Sequence, residues 1–323
     1  MILVWISTII VGLALLVWGS DRFVLGASVT ARNLGVAPLL VGLTVIGVGT
    51  SVPEILIGAL AASGGHPGIA VGNAVGSNIA NIGLVAGICA LVVPVDVKSR
   101  VLRREFPLMF LVIALAWFVL KDRILGHFDA LLLLAGFAAL LSVIVVTAVR
   151  AKRSDPLAVE LNQHIPSKMP TRVAVIWLAL GLLVLLVSSR VIVWGAVSLA
   201  RALEVSDLVI GLTIVAVGTS LPELAASVAS VLKNEPDLAI GNVLGSNMFN
   251  LLPVLATPAL IAPGPVEASV LTRDMPIMMF MSVALFLMAS GFRRPGRINR
   301  LEGTILLAAF AGYQGMFLFS VGI

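Results

Sequence analysis

Two glutamates, Glu54 and Glu223, each stand at the end of the same phrase inside a long apolar run: VGLTVIGVGTSVPE over 41–54 and IGLTIVAVGTSLPE over 210–223. Carboxylates in apolar membrane segments are costly and rare, and they mark ion or substrate pathways. Thr50 and Ser51 precede Glu54 by four and three positions, as Thr219 and Ser220 precede Glu223, so each trio shares one helical face. Pro53 donates no backbone hydrogen bond, which frees the carbonyl of Gly49, and Gly47 and Gly49 loosen the same turn; Pro222 repeats the arrangement. Carboxylate, hydroxyl and freed carbonyl are all hard oxygen donors. Such a set suits Ca²⁺, whereas Zn²⁺ and Cu⁺ favour nitrogen or sulfur. Two carboxylates balance one divalent ion and leave hydroxyls and carbonyls beside it for monovalent ions.

A second phrase accompanies the first. Asn73, Ser77 and Asn81 fall at i, i+4, i+8 on one helical stripe, and Asn242, Ser246 and Asn250 do the same. Gly72 with Gly76, and Gly241 with Gly245, are small residues four apart that let helices approach closely. Both phrases recur at a constant offset of 169, and the first is identical at nine of fourteen positions. A single Ser, Thr or Asn in a membrane helix commonly serves helix–helix bonding. The complete set, duplicated in register, points instead to one site assembled from two halves.

The elements that carry these residues must cross a bilayer. Hydrophobic residues make up 59% of the 323, charged residues 11%, and the mean hydropathy is +1.12, which excludes a soluble domain. Taking about 20 apolar residues per span, the sequence predicts an all-α integral membrane protein with ten transmembrane helices, near 2–30, 36–62, 68–93, 104–120, 125–149, 172–201, 207–231, 237–262, 271–291 and 301–321. Residues 1–149 form the first five-helix repeat, 150–171 a short cytoplasmic linker and 172–323 the second repeat. Five is odd, so the second repeat is inverted relative to the first, with the ion site between them, as in many secondary transporters. The first and sixth spans reach about 45 Å as helix, more than the roughly 30 Å of hydrocarbon, and are expected to tilt.

The sequence pI near 10.0 raises the question of nucleic acid. The positions of the basic residues answer it. With the N-terminus outside, 15 Lys and Arg fall in inside loops and 4 in outside segments, with Arg22 and Arg190 within spans. This bias predicts a multi-pass protein with both termini extracytoplasmic and leaves no role for nucleic acid. The opening MILVWISTII lacks a positive n-region and reads as the first span rather than a cleaved signal. Cys89 reads as a small core residue. Asp21, Arg22 and Arg190 read as snorkelling or locally paired groups, with a role in gating movement of the first and sixth spans as the alternative. Asp96, Asp129, Glu267 and Asp274 read as solvated helix caps, and His66, His127 and His164 have no assigned role. Nothing calls for an oligomer, so a monomer is expected.

At these residues the chain resembles the calcium/cation antiporter superfamily, specifically the prokaryotic sodium/calcium exchangers, whose two alpha-repeats the GTS-x-PE and GN-x-x-GSN-x-x-N segments match over the whole chain. The resemblance implies exchange of extracellular sodium for cytosolic calcium by alternating access, with no cofactor and no catalytic residue. It implies an ion site between the second, third, seventh and eighth helices, where Glu54 and Glu223 are the central ligands shared by Ca²⁺ and Na⁺. Thr50 and Thr219 add backbone carbonyls to the calcium site. Ser51, Ser77, Ser220 and Ser246, with the threonine hydroxyls and the carbonyls of Gly47 and Ala216, form flanking sodium sites. Asn81 and Asn250 line the centre. The first and sixth helices slide past this core.

Three other functions are weighed. A proton/calcium antiporter of the same superfamily could use either glutamate, since a desolvated carboxylate titrates, but the duplicated hydroxyls favour sodium. A cation channel needs no inverted two-carboxylate trap. An enzyme such as an intramembrane hydrolase needs a nucleophile and base, and Ser51 has no histidine partner in either repeat. Many relatives carry aspartate where this chain has Asn250; an amide brings an oxygen without charge, which predicts that potassium is not co-transported and few protons occupy the centre. Asn250→Asp is expected to change monovalent-ion selectivity, read as the sodium and potassium dependence of transport; unchanged dependence refutes this.

Overall fold

The computed structural model describes residues 2–154, 169–203, 216–291 and 296–320. Among the described residues its regular secondary structure is helical apart from two short strand pairs. The helices are α1 (Ile2–Leu34), α2 (Pro38–Ser63), α3 (Pro67–Val92), α4 (Ser99–Leu120), α5 (His127–Ser154), α6 (Thr171–Ala202), α7 (Ala216–Thr219 followed by Leu221–Leu232), α8 (Pro236–Ile261), α9 (Val270–Ser290) and α10 (Arg300–Ser320). Among the described residues seven of these runs, α1, α2, α3, α5, α6, α8 and α9, are long and apolar enough to cross a membrane. The protein is therefore a multi-pass, all-helical membrane protein. Much of the expected linker, with His164, and the start of the expected seventh span lie outside the described residues.

The first and sixth helices form a pair of their own. Gly12, Gly19 and Gly26 recur every seven residues on α1, and Gly181, Ser188 and Gly195 on α6; all are buried. A methyl placed on Gly12 would meet Ile192, on Gly19 Leu185, on Gly26 Leu178, and on Gly195 Ile9. The partners run in opposite numerical order, so the two helices lie antiparallel along a glycine seam. The missing side chains let the backbones touch, which is how helices associate where lipid removes the hydrophobic driving force.

The second crossing joins the repeats. A methyl on Gly241 would lie 2.6 Å from the Leu39 carbonyl oxygen and 3.0 Å from the Gly42 Cα, and one on Gly245 would lie 2.5 Å from the Leu43 carbonyl oxygen. Here α2 and α8 meet backbone to backbone. Around this centre, α10 lies on α3 with Gly303 against Gly87, Phe106 and Phe110 of α4 stack edgewise on Phe286 of α9, and Phe137 of α5 meets Phe249 of α8. Two antiparallel strand pairs tie the ends: Val95–Asp96 (β1) with Arg297–Ile298 (β4), and Ile124–Leu125 (β2) with Gly264–Pro265 (β3). Each joins a loop of residues 1–149 to a loop of residues 172–323, and β1 and β3 stand at the repeat offset of 169.

Two polar expectations resolve differently here. Asp129 accepts a hydrogen bond from the Gly126 amide at 2.8 Å, as a cap does. Asp274 is not a solvated cap. It is buried, held by Arg273 at 2.7 and 3.2 Å and by the Tyr313 hydroxyl at 3.2 Å. Packing of α10 against the start of α9 encloses it, which local sequence does not reveal. Arg22 stacks on Trp18 and Trp177, with its guanidinium carbon 5.9 and 5.0 Å from the ring centroids.

The seam makes a prediction. A methyl on Gly181 would sit 2.4 Å from the Phe23 backbone nitrogen, and rigid backbone cannot yield as a side chain does. Gly181→Ala should therefore lower stability by about 1–3 kcal/mol, seen as a lower unfolding temperature in detergent, while Gly312→Ala, with no atom within 4 Å among the described residues, should not.

Candidate ion-binding site

Each glutamate owes its position to a break in its helix. In α2 the helical turn Gly47–Thr50 stops at Ser51 and a new helix starts at Val52. In α7 the turn Ala216–Thr219 stops at Ser220 and restarts at Leu221. Ser51 has φ −83°, ψ 3° and Ser220 has φ −87°, ψ 4°, so the two breaks share one conformation. Proline sits at the second position of each new helix, where it is tolerated because its missing N–H has no partner to lose. Glu54 and Glu223 then fall in the first helical turn, where the positive end of the helix dipole favours a carboxylate.

The expected residues are enclosed. Glu54 and Glu223 are each 1% exposed. Gly47, Thr50, Ser51, Ser77, Asn81, Thr219, Ser220, Ser246 and Asn250 are buried as well. Ala216 opens the helical turn that ends at Thr219. Both oxygens of each glutamate, the Ser51 and Ser220 hydroxyls, and the whole amides of Asn81 and Asn250 have no hydrogen-bond partner among the described residues. Orphaned buried oxygens are rare because each carries a desolvation cost. Such atoms are suited to accept a partner from outside the chain.

Asn81 and Asn250 sit at matched structural irregularities. Each begins a π-helical stretch, Asn81–Ala86 in α3 and Asn250–Val254 in α8. Such bulges recur at functional sites because they redirect side chains and loosen backbone bonding. The stretch headed by Asn81 packs against Leu221–Leu232, which carries Glu223, and that headed by Asn250 packs against Val52–Ser63, which carries Glu54. Each half thus presents an amide to the other half's carboxylate helix. Arg190 on α6 lines a space beside Pro53 and Leu56, which flank Glu54 in the chain.

The two halves are not equally tight. Asn242 binds on every side: its amide nitrogen donates to the Ser227 hydroxyl at 2.8 Å and the Glu223 carbonyl at 3.2 Å, and its oxygen accepts from Thr50 at 3.2 Å and Ser246 at 3.4 Å. The single Thr50 hydroxyl proton is shared between that oxygen and the Ile46 carbonyl at 3.0 Å. The matching Asn73 amide nitrogen has no partner among the described residues, because the position of Ser227 is held by Gly58 in the first repeat. On that looser side a cavity of about 650 Å³ reaches Asn73, Ser77 and Thr219 from the turn at Gly65–His66. Ser227 has no counterpart in the repeat, and so no sequence signal marked it. Glu105, buried in α4, was equally hidden among Arg103, Arg104 and the charged helix start.

The α1–α6 pair borders the breaks. Leu182 of α6 lies on Gly49, Val193 of α6 lies on Gly218, and the Ser189 hydroxyl donates to the Gly218 carbonyl at 2.9 Å. A second space of about 550 Å³ separates α1 and α6 from Pro53 and Leu56 and contains Arg190.

The network around Asn242 is testable by contrast with its twin. Asn242→Ala removes the buried amide that donates to the Ser227 hydroxyl and the Glu223 carbonyl and should cost about 1–3 kcal/mol; Asn73→Ala should cost less. Thermal unfolding of the two variants in detergent measures the difference.

Comparison with known proteins follows from this geometry. Residues 4–146 and 173–319 match the family model described as sodium/calcium exchanger protein. A protein of Alkalimonas amylolytica named CaxA is 49% identical over 306 residues, covering 95% of this chain and 96% of the relative. The Escherichia coli protein named inner membrane protein YrbG is 41% identical over 312 residues, covering 96% and 95%. Among solved structures, the sodium-calcium exchanger NCX_Mj soaked with 2.5 mM Na⁺ and 0.1 mM Ca²⁺ matches with TM-score 0.81 and 34% identity, covering 96% of this chain and 97% of that one.

Proposed function

Since the chain belongs to the sodium/calcium exchanger protein family, we propose that this antiporter exchanges Na⁺ for Ca²⁺ across a prokaryotic inner membrane by alternating access. The observation that carries this reading is the pair of glutamates, each 1% exposed, with four carboxylate oxygens lacking any partner among the described residues. Two uncompensated carboxylates in a low-dielectric centre destabilise the protein until a cation neutralises them. One Ca²⁺ cancels both charges. Sodium ions must do so in larger number, and the hydroxyls of Ser51, Ser77, Ser220 and Ser246 supply the additional oxygens.

In this mechanism Glu54 and Glu223 are the ligands shared by the two ions, so their occupancies compete. Thr50 and Thr219 contribute carbonyls from the ends of the broken turns to Ca²⁺. Gly47 and Ala216 contribute carbonyls to sodium positions one turn earlier. Asn81 and Asn250 line the centre with neutral amides. Ions reach the site through the cavity beside Ser77 and Thr219. The opposite approach is filled by the contact of Gly42 with Gly241 and by the hydrogen bond from the Thr50 hydroxyl to the Asn242 oxygen.

Ten spans in two inverted repeats, 1–149 and 172–323 about a cytoplasmic linker at 150–171, give the site its pseudo-twofold character. Alternation exchanges the roles of the halves: the loose contact tightens and the tight one opens. With both termini outside, as the basic residues favour, the cavity faces the extracytoplasmic side.

Proteoliposomes loaded with sodium should take up Ca²⁺, and those loaded with potassium should not. Uptake driven by an acidic interior alone would establish the proton/calcium alternative. Glu54→Gln and Glu223→Gln should each abolish calcium transport while leaving the protein folded by detergent chromatography; transport surviving in either refutes the shared-ligand assignment.

A further inference from the structure

The turns that close the two repeats have the same backbone and different charges. In the first repeat Gly64, Gly65 and His66 donate their amides to Leu60, Ala62 and Ala61, at 2.9, 3.1 and 2.9 Å. In the second, Lys233, Asn234 and Glu235 donate to Ala229, Val231 and Ser230, at 3.0, 3.1 and 2.9 Å. The middle residue is left-handed in both, with φ 81° at Gly65 and 61° at Asn234. The first repeat makes this turn with no charged pair, so the turn itself does not require Lys233 or Glu235.

Both charges are used against α1. The Glu235 carboxylate accepts hydrogen bonds from Arg32 at 2.5 Å and from the Ser28 hydroxyl at 2.7 Å. Lys233 pairs with Asp21 at 2.5 Å. These are charge-assisted contacts, the stronger kind. Arg32, Ser28 and Glu235 are partly buried, which shields that contact from the screening that makes surface pairs weak. Asp21 and Arg32 are separated by three helical turns, so α1 is held along a length rather than at a point. It lies on Leu221–Leu232 and on the start of α2, at the end of the molecule opposite the cavity.

The repeat offset identifies what α6 would meet in the mirror arrangement. Asp21 corresponds to Arg190, Arg32 to Arg201, Lys233 to Gly64 and Glu235 to His66. Arginines would therefore approach a turn that carries glycine and histidine. No carboxylate stands at either matched position, and neither ion pair can be reproduced.

We propose that Arg32, Glu235, Asp21 and Lys233 form a one-sided ionic latch that sets the access equilibrium, favouring the state in which the cavity beside Ser77 is open. These are positioning residues: they touch no transported ion and act by holding the α1–α6 pair at one end of its travel. The inference rests on the alternating-access reading above, and its test does not depend on which ions are carried. A conformational bias of this kind makes the apparent ion affinities differ between the two membrane faces, because binding to the disfavoured state is reduced by that state's small population.

The test uses the full chain with Cys89→Ala and one added cysteine, labelled with a membrane-impermeant maleimide. Ile57 lines the cavity, and its repeat counterpart Ala226 is buried on the closed side. Ile57→Cys should react fast and Ala226→Cys slowly. Adding Glu235→Gln should slow the first and speed the second, shifting their ratio about tenfold, the weight of one charge-assisted bond. The exchanged pair Arg32→Glu with Glu235→Arg should restore the original ratio. His66→Glu, which removes no contact of the latch and offers Arg201 a partner in the mirror state, should shift the ratio in the same direction as Glu235→Gln. An unchanged ratio in both Glu235→Gln and His66→Glu overturns the latch, as does a rise at both cysteines together, which reports loosening rather than redistribution. If labelling behaves as expected but sodium fails to drive Ca²⁺ uptake, the latch stands and the ion assignment falls.

Discussion

Two carboxylates enclosed in the middle of an apolar bundle are the constraint from which the remaining features follow. Glu54 and Glu223 are each 1% exposed, and by hydrogen-bond geometry none of their carboxylate oxygens has a partner among the described residues. Removing a charge from water costs several kcal/mol even after relaxation, unless a counter-charge returns it. The helix breaks at Ser51 and Ser220 reduce the cost by placing each carboxylate at a helix start.

That arrangement demands a firm support, and glycine supplies it. Where α2 crosses α8 the Gly241 and Gly245 backbones touch Leu39, Gly42 and Leu43. Backbone contact leaves no flexible side chain between the helices that carry Thr50 and Ser246. The α1–α6 seam uses the same residue for a different purpose. Its glycines join two long helices into one unit, which borders the broken turns through Leu182, Val193 and Ser189. A rigid centre and a separate rigid pair beside it are the mechanical requirements for moving one against the other.

Duplication gives the sequence two matching halves, and a few substitutions make them differ. Ser227 against Gly58 makes one repeat's asparagine a four-bond junction and leaves the other without a partner for its amide nitrogen. Lys233 and Glu235 against Gly64 and His66 place charge on one turn of an identical pair. The backbone tolerates either choice, and on the proposed alternating-access reading these positions set which of two arrangements is lower in energy. A difference of one or two charge-assisted bonds is enough, because such states differ by only a few kcal/mol.

The membrane class, the helical runs, the two phrases at constant offset and the broken turns were all legible in the sequence. Each is local: apolar length, a proline's missing donor and i, i+4 spacing act within one helix and need no partner. The tertiary structure decided what depends on distant chain segments meeting. It made Asn242 the junction of Thr50, Ser227 and Ser246, buried Asp274 under Tyr313, and set the π-helical turns at Asn81 and Asn250 against the carboxylate helices of the opposite repeat. It also turned Asp21 and Arg32, which read alone as interfacial charges, into partners of Lys233 and Glu235 some two hundred residues away. Pairing energy belongs to neighbours in space, and a single sequence without its fold does not say who those neighbours are.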